Sequence, residues 1–198
     1  MEVYSAGLIS QSFWFVEFKK VVRLLSDGRT RSEAKAVCID ENLLGASNTY
    51  RAKRMAGYLT NRAAALDANE IRLFMESDLA TQKLLNLIAI LRTDRLFFEF
   101  LFEVYREKRI LGSPTIENYD ANIFFRNKER ESSAVEAWQD STKRKLRSNY
   151  FNFMVDANLL ALDGKTRKLT PPILDITLEQ HLRAKGDSAI IKAITGVI

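Results

Sequence analysis

The chain has 198 residues, of which 46% are hydrophobic and 28% are charged, and only 8 Gly and 3 Pro interrupt it. This composition suits a helix-rich globular protein and argues against intrinsic disorder. The lone Cys38 and the lone His181 exclude an intramolecular disulfide and a zinc site built from the usual nitrogen and sulfur ligands.

The charge is distributed unevenly along the chain. Residues 1–66 carry 10 basic and 6 acidic side chains, residues 67–140 carry 10 and 14, and residues 141–170 carry 7 and 2. Two positive blocks therefore flank an acidic middle within a net charge of +5. Clustered positive charge is typical of proteins that bind a polyanion, although a solvated basic surface produces the same pattern.

The sequence gives no sign of a membrane-bound or secreted protein. Its N-terminus lacks the basic and apolar regions of a signal peptide. The most apolar run, LLNLIAIL at residues 84–91, is far shorter than the roughly 20 residues that span a bilayer. We expect a cytoplasmic protein that binds no membrane and places this run in a core helix.

Three helices are predicted over the first third of the chain. The first covers about residues 8–25 and ends at an Asp-Gly pair. The second begins after Thr30, which forms a T-x-x-E capping box with Glu33. The third, of about 18 residues, begins after Ser47 or Asn48, since either side chain can accept a hydrogen bond from a first-turn N–H.

The third of these helices is basic. Its cationic residues are Arg51, Lys53, Arg54 and Arg62. A helix, a turn containing Gly45 and a basic helix form the outline of a helix-turn-helix. These four cations either contact nucleic acid or form a solvated face, because helix pairs of this kind are common.

The middle of the chain, residues 67–111, is predicted to form two or three helices. From Leu96 to Tyr105 the sequence is apolar almost without interruption. A helix that is apolar on all sides is either buried in the core or covered by a partner. The core helix is preferred, because monomers rarely expose large apolar patches. Gly112-Ser113-Pro114 then breaks the pattern and predicts a domain boundary.

A second unit is predicted after this boundary. Its first helix covers about residues 116–128. The residues that this helix is expected to bury are Tyr119, Ile123 and Phe124. A short helix containing Val135 follows, with Ser132 or Ser133 as its cap.

A longer helix is predicted from Ser141, which serves as its cap, to Ala157. Its buried side is expected to consist of Leu146, Tyr150, Phe153, Met154 and Ala157. Its other side carries Arg144, Lys145, Ser148 and Asn152, with Lys143 and Arg147 at the flank.

The next segment, residues 159–170 (LLALDGKTRKLT), predicts a β-hairpin. Asp163 and Gly164 suit the two positive-φ positions of a type I′ turn. Three helices followed by a hairpin is the order of a winged helix-turn-helix, which Pro171-Pro172 ends. The predicted fold is mainly α, a helical two-part protein with a C-terminal winged helix-turn-helix-like unit and one short β-hairpin. The predicted domains are 1–112, 113–172 and 173–198.

The cations of this unit are the strongest functional candidates. They are Lys143, Arg144, Lys145 and Arg147 on the helix, and Lys165, Arg167 and Lys168 on the hairpin. In a winged helix the third helix enters the major groove and the wing follows the backbone, where Arg and Lys neutralise phosphates. Double-stranded DNA is therefore the expected partner. Additional hydrogen bonds to base edges are expected from Ser148, Asn149 and Asn152.

No catalytic motif is visible in the sequence. It contains no P-loop, G-x-G-x-x-G, G-x-S-x-G or H-E-x-x-H pattern. Glu99, Glu103 and Glu107 recur at the i+4 spacing of di-metal carboxylate sites, but no Glu-x-x-His accompanies them. We expect no enzymatic activity, no cofactor and no metal.

Several short motifs also resemble a known family. They are Ser5-Ala6-Gly7-Leu8 with Phe13 and Glu17; Glu41-Asn42-Leu43-Leu44 with Ser47, Thr49, Arg51, Arg54 and Arg62; Arg95-Leu96-Phe97-Phe98-Glu99-Phe100 with Phe124 and Lys128; and Lys145-Leu146 with Met154, Ala157 and Leu159-Leu160. Through these residues the chain resembles, over about residues 4–170, the BrxA-type small components of BREX phage-defence systems. The resemblance implies a helical, DNA-binding protein, similar to the RNA-binding factor NusB and encoded beside a methyltransferase, ATPases and a phosphatase-like component.

The leading hypothesis is a non-catalytic, DNA-binding accessory subunit of such a defence system. One alternative is a scaffold that docks other BREX subunits through residues 97–105 or through the acidic middle. The other is a NusB-like RNA-binding protein, which rests on an association at the level of the fold.

Overall fold

The computed structural model describes residues 4–196, and this part of the chain is mainly helical with one β-hairpin. The first helices are α1 (Phe15–Ser26), α2 (Arg31–Asp40), α3 (Thr49–Ala63), α4 (Ala68–Glu76) and α5 (Leu79–Thr93). The later ones are α6 (Arg95–Phe100), α7 (Arg106–Ile110), α8 (Asn118–Glu131), α9 (Ser133–Glu136), α10 (Asp140–Asp156), α11 (Ile176–Ala184) and α12 (Ser188–Thr195). The hairpin consists of β1 (Leu160–Asp163) and β2 (Thr166–Leu169). Within this described part, no helix combines the length and the apolar character needed to cross a membrane.

The described residues group into two compact units. Residues 13–93 form the contiguous unit, and residues 4–12 together with residues 94–196 form the split unit. The boundaries expected at residues 112 and 172 both fall inside the split unit, so this grouping differs from the predicted one. The three-domain division stays a prediction.

Local capping signals place the helices of the contiguous unit. The capping box of Thr30 and Glu33 is formed at the start of α2, as predicted. The Asn48 side chain accepts from the Arg51 backbone N–H at 2.8 Å and starts α3, which selects Asn48 over Ser47. The predicted first helix begins later than expected, because Trp14, at a φ of 45°, separates α1 from a short 3-10 turn over Gly7–Ser10.

A buried ion pair joins α4 and α5 in the same unit. Arg92 donates through both terminal nitrogens to the Glu70 carboxylate, at 2.8 and 2.6 Å. The Glu70 side chain is fully buried, and it also accepts from the Asp67 N–H at 2.9 Å in the capping box of α4. One carboxylate therefore fixes both the start of α4 and its attachment to α5.

The core of the split unit is formed by the apolar segment from Leu96 to Tyr105. α6, a π-helical turn over Leu101–Tyr105 and α7 follow one another without a break. Phe97 and Phe100 are fully buried, and the Phe97 ring lies 4.6 Å from that of Tyr150 on α10. This confirms the predicted core helix. It also leaves Phe97, Phe100 and Tyr105 inside the core rather than on a docking surface.

Residues from the start of the chain complete this core. Leu8 is buried, and the buried Asn149 side chain on α10 donates to the Leu8 carbonyl at 2.7 Å. The Tyr4 hydroxyl donates to Glu99 at 2.7 Å. Asn149 was expected to contact base edges, and this expectation is wrong because its amide holds the N-terminal segment against α10.

The buried face of α8 differs from the predicted one. Phe124 is buried as expected, whereas Tyr119 is 63% exposed and Ile123 is 36% exposed. Lys128 occupies the inner face, where Glu99, Glu103 and Glu131 surround its ammonium at 2.6 to 3.0 Å. The hydrophobic pattern predicted apolar residues on this inner face. Lys128 lies there instead, because its three acidic partners compensate the buried charge.

The serine caps predicted for α9 and α10 do not form. α9 follows Ser132 without a capping bond from its side chain, and α10 begins at Asp140 rather than after Ser141.

Asp94 is a buried carboxyl whose ionisation costs stability. Its side chain caps α6 by accepting from the Phe97 N–H at 2.8 Å, and burial raises its pKa to about 6. Because this pKa lies above the usual value near 4, Asp94 favours folding at low pH and loses this contribution as the pH rises through 6. The difference amounts to at most about 3 kcal/mol.

We therefore expect Asp94→Asn to stabilise the protein by about 1–3 kcal/mol at pH 8 and to change little at pH 4, since asparagine also caps helices well. Urea denaturation at both pH values measures this. Asp78→Asn is the control, because the exposed Asp78 caps α5 and its hydrogen bonds to Thr81 lower its pKa. Equal effects of Asp94→Asn at pH 4 and pH 8 would contradict the prediction.

Candidate nucleic-acid interface

The candidate interface lies on α10, whose inner face is fixed by packing. The side predicted to be buried is confirmed: Leu146, Tyr150, Phe153, Met154 and Ala157 are each at most 1% exposed. Burial of this face directs the opposite face of α10 towards α8 and the solvent. The predicted cations of α10 are therefore held on a rigid helix.

A groove of about 400 Å³ runs between α8 and α10. Its lining residues are Asn122, Phe125, Arg126, Glu129, Asp140, Lys143, Arg144 and Arg147. Three of the predicted residues, Lys143, Arg144 and Arg147, lie here beside Arg126. The groove is thus open to solvent and lined by three guanidinium groups.

Lys143 also lines the groove, but its charge is compensated. Its ammonium lies 2.5 Å from a Glu129 oxygen and 3.2 Å from an Asp140 oxygen. The hydrogen bond to Glu129 is the main cause that raises the pKa of Lys143. In the described part of the chain, by contrast, no ion pair joins Arg126, Arg144 or Arg147 to an acidic residue. The positive field of the groove therefore comes from the arginines.

Arg167 on the hairpin extends the same surface. Its guanidinium lies 4.1 Å from the ring centroid of Phe151, one turn after Arg147 on α10. Burial lowers the pKa of Arg167, and the nearby charge of Arg147 lowers it further. Phe151 and Arg147 are four residues apart on the same face of α10, so the contact with Phe151 brings the hairpin cation next to that of Arg147. We call Arg126, Arg144, Arg147 and Arg167 the arginine surface.

The remaining predicted cations do not belong to the arginine surface. Lys145 is exposed but lies about 160° around α10 from Arg147, given 3.6 residues per helical turn. Lys168 points to the opposite side of β2 from Arg167 and pairs with Asp163 at 2.6 Å. Lys165 is exposed at the hairpin turn.

The hairpin is confirmed, but its turn differs from the predicted type. Asp163 pairs with Thr166, so the two-residue turn is Gly164-Lys165 rather than Asp163-Gly164. Only the first of these two residues has a positive φ, 59° at Gly164, which is the pattern of a type II′ turn. Strand β2 also pairs with the segment before α8, where the Ile116 N–H donates to the Arg167 carbonyl at 3.1 Å.

The order of α8, α9, α10 and the hairpin matches the predicted series of three helices and a hairpin. Whether this arrangement acts as a winged helix-turn-helix stays a prediction.

The second predicted strip, on α3, divides into exposed and buried residues. Arg51, Lys53 and Arg54 are exposed. Arg62 is only 2% exposed and donates to the Phe13 carbonyl at 2.7 Å. Burial lowers its pKa to about 9. Arg62 is thus a structural residue of the contiguous unit, and its place on a binding strip is corrected.

Sequence reasoning missed Arg126. For this helix the hydrophobic pattern predicts only the residues on the buried side, Tyr119, Ile123 and Phe124, and the exposed side was not considered. The available signal was the spacing of Asn122 and Arg126 at i and i+4, which puts both on one face, combined with the exposure expected for arginine.

Comparisons with known proteins agree over almost the whole chain. A sequence profile of the BrxA family matches residues 2–186. The protein named "BREX protein BrxA" from Bacillus cereus (strain H3081.97) is 35% identical over 195 residues, which cover 98% of this chain and 98% of that protein. The crystal structure of an uncharacterized protein from Magnetospirillum magneticum has a TM-score of 0.84 at 20% identity, covering 98% of this chain and 99% of that one. This last likeness is one of fold.

Proposed function

This chain belongs to the BrxA family, and on that premise we propose that it is a non-catalytic subunit of a BREX phage-defence system that binds double-stranded DNA through the arginine surface. The wider role follows from the family resemblance. The DNA-binding role rests on the described geometry of the split unit.

The observation that carries the proposal is the convergence of four arginines from three elements. Arg126 comes from α8, Arg144 and Arg147 from α10, and Arg167 from the hairpin. Guanidinium groups stay protonated at all physiological pH values and donate two parallel hydrogen bonds to phosphate oxygens. Guanidinium groups that lie close together without acidic partners repel one another. An anion bound between them offsets this repulsion, so binding lowers the free energy.

The groove also suits a backbone rather than an isolated phosphate. It is open to solvent, and Asn122 offers an amide beside Arg147, to which its side-chain oxygen is hydrogen-bonded. Phosphates that follow one strand of a duplex recur at regular spacing, so contacts on successive elements can engage successive phosphates. The proposal therefore predicts binding with little dependence on base sequence.

Salt-dependent binding tests the proposal. Engagement of four phosphates should make the logarithm of the association constant fall against the logarithm of salt concentration with a slope of about −3.6. Fluorescence anisotropy with a random 20-base-pair duplex at several salt concentrations measures this slope.

Two further observations decide between this and the other hypotheses. An RNA duplex of equal length should compete less well than DNA, and stronger competition by RNA would favour the NusB-like alternative. Co-purification of another BREX subunit by protein that shows no affinity for DNA would instead favour the scaffold.

A further inference from the structure

A stack of aromatic and cationic side chains lies on the surface of α3 in the contiguous unit. Tyr50, Arg54 and Tyr58 follow one another at i, i+4 and i+8, so they share one face of the helix. Trp14, just before α1, packs against the last of them. We call these four residues the aromatic ladder.

The members of the aromatic ladder lie close to one another in order along this face. The Arg54 guanidinium carbon lies 5.7 Å from the ring centroid of Tyr50 and 5.9 Å from that of Tyr58. The Trp14 and Tyr58 rings are 6.4 Å apart with an interplanar angle of 24°. The Arg54 guanidinium therefore lies within cation–π distance of two tyrosine rings, and the second of these rings stacks on Trp14.

The outer end of the ladder is open. Tyr50 is 72% exposed, whereas an aromatic ring that serves only to pack the protein is usually largely buried. At the inner end, Trp14 has a φ of 45°, a left-handed conformation that is uncommon for a bulky residue. Strained backbone of this kind persists where surrounding contacts over-determine it, and it is concentrated at functional sites.

The charge around the ladder is of one sign. α3 contains no Asp or Glu. Arg51 and Lys53 are exposed on either side of the ladder, since they lie about 100° from Tyr50 and Arg54 respectively around the helix. In the described part of the chain no ion pair joins Arg51, Lys53 or Arg54 to an acidic residue. A planar, exposed ring is therefore flanked by cations on both sides.

We infer that the aromatic ladder binds unpaired nucleotides, with a base stacked on Tyr50 and the adjoining phosphates held by Arg51 and Lys53. Single-stranded nucleic acid is the ligand class that combines flat faces with regularly spaced negative charge. An acidic peptide would satisfy the cations but would leave the exposed ring without a stacking partner. In a duplex, the neighbouring bases already cover the faces that Tyr50 would contact.

This site extends the proposed function, nucleic-acid binding, to a second ligand form, but it uses different residues in a different unit. Anisotropy of labelled 12-residue oligo(dT), oligo(U) and a 12-base-pair duplex measures both activities in the intact chain. We expect Tyr50→Ala to weaken oligo(dT) binding by about fivefold to a hundredfold, because stacking on an aromatic ring contributes that range per base. The affinity for the duplex should stay unchanged.

Tyr50→Phe is the matched control, since it keeps the ring and should bind oligo(dT) within about twofold of the original protein. Because Tyr50 is largely exposed, both variants should unfold at the temperature of the original protein, and this is checked first. Comparison of oligo(dT) with oligo(U) shows whether the natural strand is DNA or RNA.

Unchanged oligo(dT) affinity in Tyr50→Ala overturns the inference, as does an equal loss in Tyr50→Phe. Tighter binding of a poly-glutamate peptide than of oligo(dT) also overturns it in favour of an acidic protein partner. If the original protein does not bind the duplex but binds oligo(dT) in a way that depends on Tyr50, the proposed function is refuted and this inference stands.

Discussion

Reversing the charge of Arg144 and Arg147 together is expected to weaken duplex DNA binding by on the order of a hundredfold at moderate salt. Hydrogen bonds between charged groups contribute about 1.5–3 kcal/mol each. A glutamate in place of either arginine would also repel the phosphate that the arginine binds. Adding Arg167→Glu should weaken binding further, because this residue extends the same surface from the hairpin.

The salt dependence of binding gives a second, independent measure of this variant. Each lost phosphate contact should reduce the slope of the log–log plot by about 0.9. The double variant should therefore lose about half of the slope expected for the four arginines.

Lys145→Glu combined with Lys168→Glu is the matched control, since it changes the net charge by the same amount at two exposed lysines outside the arginine surface. This control should bind several-fold less tightly at most, through the loss of general attraction. Circular dichroism and thermal unfolding verify that all variants fold. Equal losses in the two double variants would show that net charge, and not the arginine surface, governs binding.

Glu70→Ala is expected to be the most destabilising single substitution, lowering the free energy of unfolding of the contiguous unit by about 3–5 kcal/mol. The Glu70 carboxylate is fully buried, and the side chain of Arg92 is only 13% exposed. Removing the carboxylate leaves the Arg92 charge in a buried position without its bidentate partner. The substitution also removes one half of the capping box at the start of α4.

Urea denaturation followed by tryptophan fluorescence measures this loss. The two tryptophans are Trp14 and Trp138, so in a Trp138→Phe background the signal reports on the contiguous unit through Trp14. Glu70→Gln should have a smaller effect, because the amide oxygen can still accept a hydrogen bond from Arg92. Some loss should remain, because the amide carries no charge.

Glu76→Ala serves as the comparison, since Glu76 is exposed on the same helix of the contiguous unit and its loss should cost at most about 0.5 kcal/mol. A loss of less than 1 kcal/mol in Glu70→Ala would mean that water reaches Arg92 and compensates its charge.

Long basic side chains were the residues for which sequence reasoning was least able to separate structure from function. Arg62 and Lys128 are both almost fully buried, and each is held by polar partners from other segments. Arg144 and Arg147 are cations of the same kind but line an open groove. Arginine and lysine are usually exposed, so the pattern of residues predicts the exposed ones and misassigns the rare buried ones.

The sequence by itself determined the features that depend on neighbours a few residues away. These include the mainly helical content, the capping box at Thr30, a cap of α3 at Ser47 or Asn48, the buried face of α10 and the existence of the hairpin, because each depends on local hydrogen bonds or on the period of the hydrophobic residues. Only the tertiary structure decided which cations meet. Arg126, Arg147 and Arg167 are up to 41 positions apart, and residues 4–12 pack with the far end of the chain. Such contacts depend on how helices pack in space, and a local pattern carries no information about the partner that a side chain will find.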